Sequence, residues 1–184
     1  MYLFETLKKS ISSYLDKKQV QEIQESYIVA RDAHEGQTRT SGDPYITHPI
    51  AVAYILSETK LDHETIMAAL LHDVIEDTEA TYDDVVVNFG VVIADLVNEL
   101  TDVSKPEDGN RAVRKALDRA HLAKASADAQ TIKLADIISN SKDIKVNDPK
   151  FAKVYIPEMK ALLEVLDKGD SELMKQAEKQ VFGK

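Results

Sequence analysis

LLHDVIEDT, residues 70–78, carries the most informative pattern in this sequence. Its apolar residues recur at helical spacing, which predicts a helix over His63–Asp77. A helical wheel places one histidine and three carboxylates on a single arc, beside only the small residues Ala68 and Ala69. The members of the arc are His72, Asp73, Glu76 and Asp77. No basic residue accompanies them, which is typical of a face that lines a cleft. An acidic surface helix with an incidental histidine is an equally open alternative.

Helical spacing continues along the rest of the chain. No long alternating run of apolar and polar residues indicates a sheet, so we predict an all-α fold, a helical bundle of about eight helices. The loop at residues 36–49, GQTRTSGDPYITHP, has room for one short hairpin, and a helix over Thr81–Leu100 is expected to break at Phe89-Gly90. No repeat or linker divides the chain. We therefore expect a single domain over residues 1–184, with its motifs within about 19–145 and C-terminal helices over 149–182.

Composition narrows the function. A chain of 184 residues with 43% hydrophobic content can bury one sizeable core, and it has neither a membrane-length apolar run nor a signal-peptide pattern, which predicts a cytoplasmic protein with no membrane partner. With no cysteine, any metal must be held by histidine and carboxylate. The net charge of -9 argues against polymeric nucleic acid as a partner.

The distribution of charge suggests a cation. Between Leu61 and Ser104 there are eleven Asp and Glu residues and no Lys or Arg. Something else must supply positive charge nearby. A bound divalent ion and the basic segment Lys105–Lys124 are both candidates.

Two further segments contain groups that suit a metal site. In KLADIISN, residues 133–140, Asp136 and Asn140 lie one helical turn apart, as a carboxylate ligand and an amide for a sugar or phosphate would; a helix with a polar stripe is the alternative. Because a residue before proline is held away from helical geometry, we expect His48 at an extended junction ahead of a helix that begins at Pro49. Capping or core packing is the alternative for His48. Two histidines and two aspartates from three segments would make a mononuclear site with positions left for water and substrate.

Taken together, these segments resemble the hydrolase domain of the RelA/SpoT family in their order along the chain and in their separations. They are most similar to its small stand-alone alarmone hydrolases of the metazoan SpoT-homologue type. The matching text lies within Ala30–Ile144 and reads AHEGQTRTSGDPYITHPIAVAYIL, DHETIMAALLHDVIEDT, FGVVIADLVNELTDVSK and IKLADIISN. The resemblance implies an HD-type, metal-dependent enzyme that removes the 3′-pyrophosphate from guanosine 3′,5′-bis(diphosphate), ppGpp, or from pppGpp. The products would be pyrophosphate and GDP or GTP.

The resemblance also implies the roles of individual residues. One divalent ion, usually manganese in this family, would be held by His48, His72, Asp73 and Asp136. The carboxylates that activate and orient the attacking water would be Glu76 and Asp77. The substrate contacts would be Arg39 near the guanine or its phosphates, Asn140 at the ribose, and in addition Ser41 and Lys133.

Departures from the family pattern leave the choice of substrate open. Thr40 stands where many relatives have Lys, and Ile137 and Ser139 replace other residues of the longer enzymes. These changes affect the preference for guanine over adenine, so ppApp is a further candidate partner, and they affect the choice between tetra- and pentaphosphate. Two alternatives remain: an HD phosphohydrolase of another nucleotide, and a non-catalytic module that binds alarmone or acts like an antitoxin. No feature of the sequence indicates an oligomeric state.

Overall fold

A computed structural model describes residues 3–183, which divide into two compact units with the boundary between Asn98 and Glu99. Within the described range the chain forms eleven α-helices and no strand, and a single 3-10 helix, Pro106–Asp108, precedes the eighth. The helices are α1 Phe4–Ile11, α2 Lys17–Ala33, α3 Thr47–Glu58, α4 His63–Leu71, α5 Val74–Asp77, α6 Tyr82–Phe89, α7 Val91–Leu100, α8 Arg111–Leu122, α9 Ala127–Asn147, α10 Pro149–Leu163 and α11 Ser171–Phe182. The all-α prediction is confirmed, and the single-domain boundaries stay a prediction.

The prediction of about eight helices is wrong, partly because two predicted helices are each divided. The expected break at Phe89-Gly90 is confirmed: Gly90 has φ 85°, a left-handed value that glycine adopts readily, and it separates α6 from α7. The second break, at His72 and Asp73, was not predicted. There the side chain of His72 binds the carbonyl of Ala69, which is the acceptor that the N–H of Asp73 would use in an uninterrupted helix.

The hairpin allowed for in the loop at residues 36–49 is reduced to one isolated antiparallel bridge between Thr38 and Pro44. The N–H of Arg39 binds the carbonyl of Asp43, and the N–H of Tyr45 binds that of Gln37. This is a tightly closed loop and not a pair of strands. No helix in residues 3–183 combines the length and the apolarity that a membrane crossing requires.

Helix α4 lies at the centre of the first unit. Every residue from Thr65 to Leu71 is buried, and a helix that is buried on all sides must be surrounded by others. It packs against α2 and α3, and α1 packs on both of these. Ala68 and Ala69, which the helical wheel placed beside a cleft, are fully buried instead. The apolar contacts of α4 thus hold its C-terminal end, where LLHD occurs, in a rigid part of the unit.

The second unit is built around α9, against which α10 and α11 pack. The fully buried Gln130 joins three parts of this unit through its amide group. Its Nε2 donates to the carbonyl of Leu122 at the end of α8, and its Oε1 accepts from the N–H of Lys168 ahead of α11. Both polar ends of this buried side chain are satisfied, so its burial carries little penalty.

Asp118 anchors the segment between α7 and α8. Its Oδ1 accepts from the N–H groups of Val103 and Ser104, and its Oδ2 accepts from the Ser104 hydroxyl. Burial acts to raise the pKa of Asp118, but the hydrogen bonds from Ser104 and the charge of Lys115 outweigh it and hold the pKa below its usual value. The ionised carboxylate therefore stabilises the fold above the ordinary aspartate pKa, and this contribution is lost as the pH falls through the lowered pKa.

We expect Asp118→Ala to lower the free energy of unfolding by about 2–4 kcal/mol at neutral pH, because it leaves two backbone N–H groups without their acceptor. Urea unfolding of the full chain measures this, and the difference from wild type should shrink in acid. Lys115→Met is the control: Lys115 is partly exposed and pairs with Asp102 at 2.5 Å and with Asp118 at 3.5 Å, and loss of these surface ion pairs should cost less than about 1 kcal/mol. Equal destabilisation by the two variants would contradict the anchoring role.

Candidate metal centre

Three side chains of the first unit bring their ligand atoms together. His48, His72 and Asp73 each offer one such atom, and these atoms lie within 4.8 Å of one another. Nε2 of His72 is 3.2 Å from Oδ1 of Asp73, and Nε2 of His48 is 3.6 Å from Oδ2 of the same carboxylate. Both imidazoles are buried, whereas Asp73 keeps 16% of its side chain exposed. Solvent therefore reaches the cluster from the side of the carboxylate.

The ring of His72 is oriented by its own helix. Its Nδ1 lies 2.8 Å from the carbonyl oxygen of Ala69, and because a carbonyl can only accept, Nδ1 must carry the hydrogen. In the neutral imidazole, Nε2 then presents its lone pair towards Asp73. Metal-binding histidines are commonly fixed in this way, by a carbonyl on the nitrogen that does not bind the metal.

His48 reaches the cluster from a position that differs from the predicted one. It is the second residue of α3 and not an extended residue ahead of a helix that begins at Pro49. The N–H of Thr47 binds the carbonyl of Pro44, and that of His48 binds the carbonyl of Tyr45, so a turn leads directly into the helix. Pro49 falls in the first turn, where an N–H would have no acceptor within the helix, and it therefore does not oppose helical geometry.

The predicted catalytic carboxylates, Glu76 and Asp77, lie on the short helix α5 directly after the cluster. Both are exposed. The N–H of Asp77 binds the carbonyl of Asp73 at 2.9 Å, which places the two aspartates one helical turn apart. The arc predicted from the helical wheel is thus retained across the break, because His72 and Asp73 keep right-handed backbone angles.

Tyr45 was not among the predicted site residues, yet its hydroxyl touches two of them. The Oη atom lies 2.7 Å from Oδ2 of Asp73 and 2.9 Å from Oδ2 of Asp77. Burial raises the pKa of Tyr45, and the two carboxylates raise it further, so the phenol keeps its proton and acts as a donor. Its place in the loop just before His48 was the one available signal, and this signal could not show which carboxylates it meets.

The donor set fits a divalent cation. The lone pair of His72 faces a carboxylate of Asp73, and Tyr45 has a single hydrogen to share between Asp73 and Asp77. Buried imidazole nitrogens and a carboxylate oxygen converge here, and a divalent cation binds such a set of donor atoms. Nitrogen and oxygen donors without sulfur suit ions such as manganese, iron or zinc. His48, His72 and Asp73 are the residues that could hold the ion.

Comparison with known proteins places the sequence of this chain in a family. The HD domain family matches residues 26–160, which is most of the chain. The chain belongs to the HD domain family. In this HD protein the adjacent His72 and Asp73 lie within the matched range, and with His48 they form the group that could hold a metal ion. The match runs across the boundary between Asn98 and Glu99, so both units contribute sequence to it.

SpoT-type proteins are among its relatives, so the resemblance noted from the sequence is confirmed. The HD protein is 60% identical over 105 residues to the bifunctional (p)ppGpp synthase/hydrolase SpoT of Escherichia coli, covering 57% of this chain and 15% of that protein. It is 45% identical over 147 residues to the guanosine-3′,5′-bis(diphosphate) 3′-pyrophosphohydrolase of Vibrio cholerae, covering 78% of this chain and 21% of that protein. The chain thus spans about a fifth or less of the length of these two relatives.

A solved structure of similar size extends the comparison. It is a metazoan ortholog of SpoT described as hydrolysing ppGpp and having a role in starvation responses. The HD protein matches it with a TM-score of 0.80 and 32% identity, over 92% of this chain and 97% of that one. In contrast to the longer bacterial relatives, nearly the whole of both chains is superposed.

Three of the remaining predicted site residues of this HD protein lie together in the second unit, on α9. Asp136 is buried, its Oδ2 is 2.8 Å from Nζ of Lys133, and its Oδ1 accepts from Nδ2 of Asn140 at 2.6 Å. A carboxylate held on both sides in this way has a fixed orientation. The predicted roles of Asp136 as a ligand and of Lys133 and Asn140 as substrate contacts stay predictions.

The other two predicted substrate contacts lie in the loop of the first unit. The guanidinium carbon of Arg39 is 5.7 Å from the ring centroid of Tyr45, the residue whose hydroxyl meets the two aspartates. Ser41 is exposed and donates to Oδ2 of Asp43 at 3.0 Å. Arg39 therefore lies near the ring whose hydroxyl meets the two aspartates, whereas Ser41 bonds to Asp43 within its own loop. Their roles towards substrate stay predictions.

Proposed function

We propose that this HD protein is a metal-dependent (p)ppGpp 3′-pyrophosphohydrolase. The observation that carries the proposal is the cluster of His48, His72 and Asp73 immediately beside the exposed carboxylates Glu76 and Asp77. A pure binding module has no need of such a pair next to a metal site. The metazoan ortholog, which matches nearly its whole length, is described as hydrolysing ppGpp and supports the same substrate.

The metal is proposed to be a single manganese ion. His48, His72 and Asp73 would hold it, and Asp136 is the fourth ligand inferred from the family pattern in the sequence. Bound there, a divalent ion supplies Lewis acidity, which withdraws charge from water and from a phosphoryl oxygen. Burial of both imidazoles keeps their ring orientation constant, and the exposed edge of Asp73 leaves the site open to water and substrate.

Glu76 and Asp77 are proposed to handle the protons. Water attacks the phosphorus atom that is bonded to O3′, the bond between that phosphorus and O3′ breaks, and pyrophosphate leaves with the oxygen that the water brought. One water proton passes to a carboxylate, and O3′ gains a proton as it is released. Two exposed carboxylates are suited to this exchange because solvent can return each of them to its starting state.

Substrate recognition is proposed to use Arg39, Ser41, Lys133 and Asn140. Arg39 brings a positive charge, which suits the phosphates or the face of the base. The amide of Asn140 suits the ribose hydroxyl groups. The partner is then a small nucleotide, ppGpp or pppGpp with ppApp as a further candidate, which is consistent with the cytoplasmic location predicted from the sequence.

A turnover assay tests the proposal. The purified protein is stripped of metal with a chelator, supplied with manganese, and incubated separately with ppGpp, pppGpp, ppApp, NADPH and nucleoside 5′-monophosphates. We expect manganese-dependent release of pyrophosphate from the 3′-pyrophosphorylated nucleotides alone. Preferential cleavage of the 5′-monophosphates would favour an HD phosphohydrolase of another nucleotide. Binding of ppGpp with no turnover in manganese would instead leave a non-catalytic module.

A further inference from the structure

The phenol of Tyr45 connects two carboxylates that the proposed function treats separately. Asp73 belongs to the metal cluster and Asp77 to the pair that handles protons, and Oη of Tyr45 is within hydrogen-bond distance of both. The two contacts reach across 28 and 32 residues of sequence. Through the hydroxyl of Tyr45, the loop before α3 therefore reaches both parts of the site.

A phenol has only one hydrogen, so Tyr45 can donate to only one of the two oxygens at a time. Whichever carboxylate receives the hydrogen, the other stays close to the phenol oxygen, at 2.7 or 2.9 Å. The geometry thus sets the separation of the two carboxylates through a common atom. Charge-assisted hydrogen bonds of this length are among the stronger contacts in proteins and narrow the range of side-chain orientations.

The tyrosine is itself held in place. Its ring stacks on the imidazole of His34, with centroids 4.6 Å apart and planes inclined by 29°, and its N–H binds the carbonyl of Gln37. Oε1 of Gln37 lies 2.9 Å from Nδ1 of His34, and Nε2 of Gln37 donates to the main-chain carbonyl of Asp77. The loop and α5 are thus joined at both the side chain and the backbone of Asp77.

We propose that Tyr45 is a positioning residue, which acts by holding the carboxylate of Asp77 in a fixed orientation relative to the ligand carboxylate Asp73. Asp77 is exposed and would otherwise sample several rotamers. A group that must meet a reacting water loses rate when its orientation varies, although the binding of substrate elsewhere is unaffected. This inference rests on the proposed function, in which Asp77 handles a proton.

Tyr45→Phe tests the proposal because it removes one oxygen and keeps the ring that stacks on His34. At saturating manganese we expect kcat for ppGpp to fall by about 10–100-fold, with KM within about threefold of wild type. We also expect the affinity for manganese, measured by calorimetric titration of the metal-free protein, to weaken by about tenfold, since Asp73 loses the hydrogen bond from the Tyr45 hydroxyl.

Tyr82→Phe is the matched control. The hydroxyl of Tyr82 also binds a carboxylate of the first unit, Oδ1 of Asp95 at 2.7 Å, but neither residue belongs to the metal cluster. We expect this variant to keep the kcat and the manganese affinity of wild type. A loss of kcat in Tyr82→Phe equal to that in Tyr45→Phe would overturn the proposal, because removal of any such hydroxyl would then suffice.

A double-mutant cycle separates positioning from a merely structural role. If Tyr45 acts through Asp77, then Tyr45→Phe combined with Asp77→Asn loses little more activity than Asp77→Asn alone, measured in single turnovers with enzyme in excess. Additive losses, or an unchanged kcat in Tyr45→Phe, overturn the proposal.

The two proposals can fail separately. If the wild-type protein does not hydrolyse ppGpp, the proposed function fails, and the difference in manganese affinity between Tyr45→Phe and Tyr82→Phe still decides whether Tyr45 holds the ligand carboxylate. If the wild-type protein does hydrolyse ppGpp and Tyr45→Phe matches it in kcat, only the inference about Tyr45 fails.

Discussion

Asp77→Asn and Glu76→Gln are each expected to lower kcat for ppGpp by about 10²–10⁴-fold, while manganese content and the free energy of unfolding stay close to those of wild type. Each change replaces one oxygen by an amide nitrogen of nearly the same size. The side chain keeps its shape but can no longer accept a proton from water. Both residues are exposed, so neither substitution disturbs the buried core.

Glu79→Gln provides the matched control for these variants. Glu79 is an exposed carboxylate two residues after Asp77 and has no assigned role in the site. Glu79→Gln removes the same charge from the same acidic segment as the other two variants. Because Glu79 has no assigned role in the site, we expect kcat to stay within about threefold of wild type. If all three variants lost activity equally, the effect would come from the local electrostatic field. If Glu76→Gln and Asp77→Asn both retained full turnover, the assignment of the catalytic pair would be wrong.

His72→Ala is expected to abolish stoichiometric manganese binding and with it the stabilisation that the metal provides. A ligand that binds only the folded state stabilises it by RT ln(1 + [L]/Kd), which is about 2.7 kcal/mol at a metal concentration of 100 Kd. The quantity to compare is the rise in Tm on addition of manganese. Removal of a buried imidazole also lowers the Tm of the metal-free protein, and comparing the rise cancels that effect.

His63→Ala is the control for this measurement. The imidazole of His63 lies in the same unit, 3.6 Å from Glu22, and belongs to no ligand cluster, so its loss should leave the manganese-dependent rise in Tm unchanged. Asp136→Ala extends the test to the ligand that was inferred from the family pattern. Wild-type manganese stoichiometry in both His72→Ala and Asp136→Ala would contradict the metal assignment.

The centre of the site could be predicted because its residues are neighbours in sequence. His72, Asp73, Glu76 and Asp77 lie within six positions, and helical geometry alone places them on one arc. Even the unpredicted break in the helix preserves this arc, because the backbone at His72 and Asp73 stays right-handed. The all-α class was predictable for a similar reason, since helical periodicity is a local property.

Other features could not be predicted, because they depend on contacts between distant residues. The expected extended geometry of His48 followed from its proline neighbour. In the structure His48 is helical instead, because its ring is buried and a turn from Pro44 starts the helix at Thr47. The break after Leu71 depends on a ring that competes with the backbone for the carbonyl of Ala69. Helix-propensity rules predict neither the helical geometry of His48 nor the break after Leu71, because both arise from the placement of a particular side chain in the folded core.

By itself, the sequence determined the class of the fold, the order of the motifs and the chemical identity of the residues at the candidate metal centre, because each of these depends on residue type and short-range spacing. Only the tertiary structure decided that a loop tyrosine meets Asp73 and Asp77, that His34 and Gln37 support it, and that the imidazoles are buried while Glu76 and Asp77 are exposed. The physical reason is that loops have no repeating geometry. The partners of their side chains depend on the packing of helices α2, α3 and α4, which brings distant segments together.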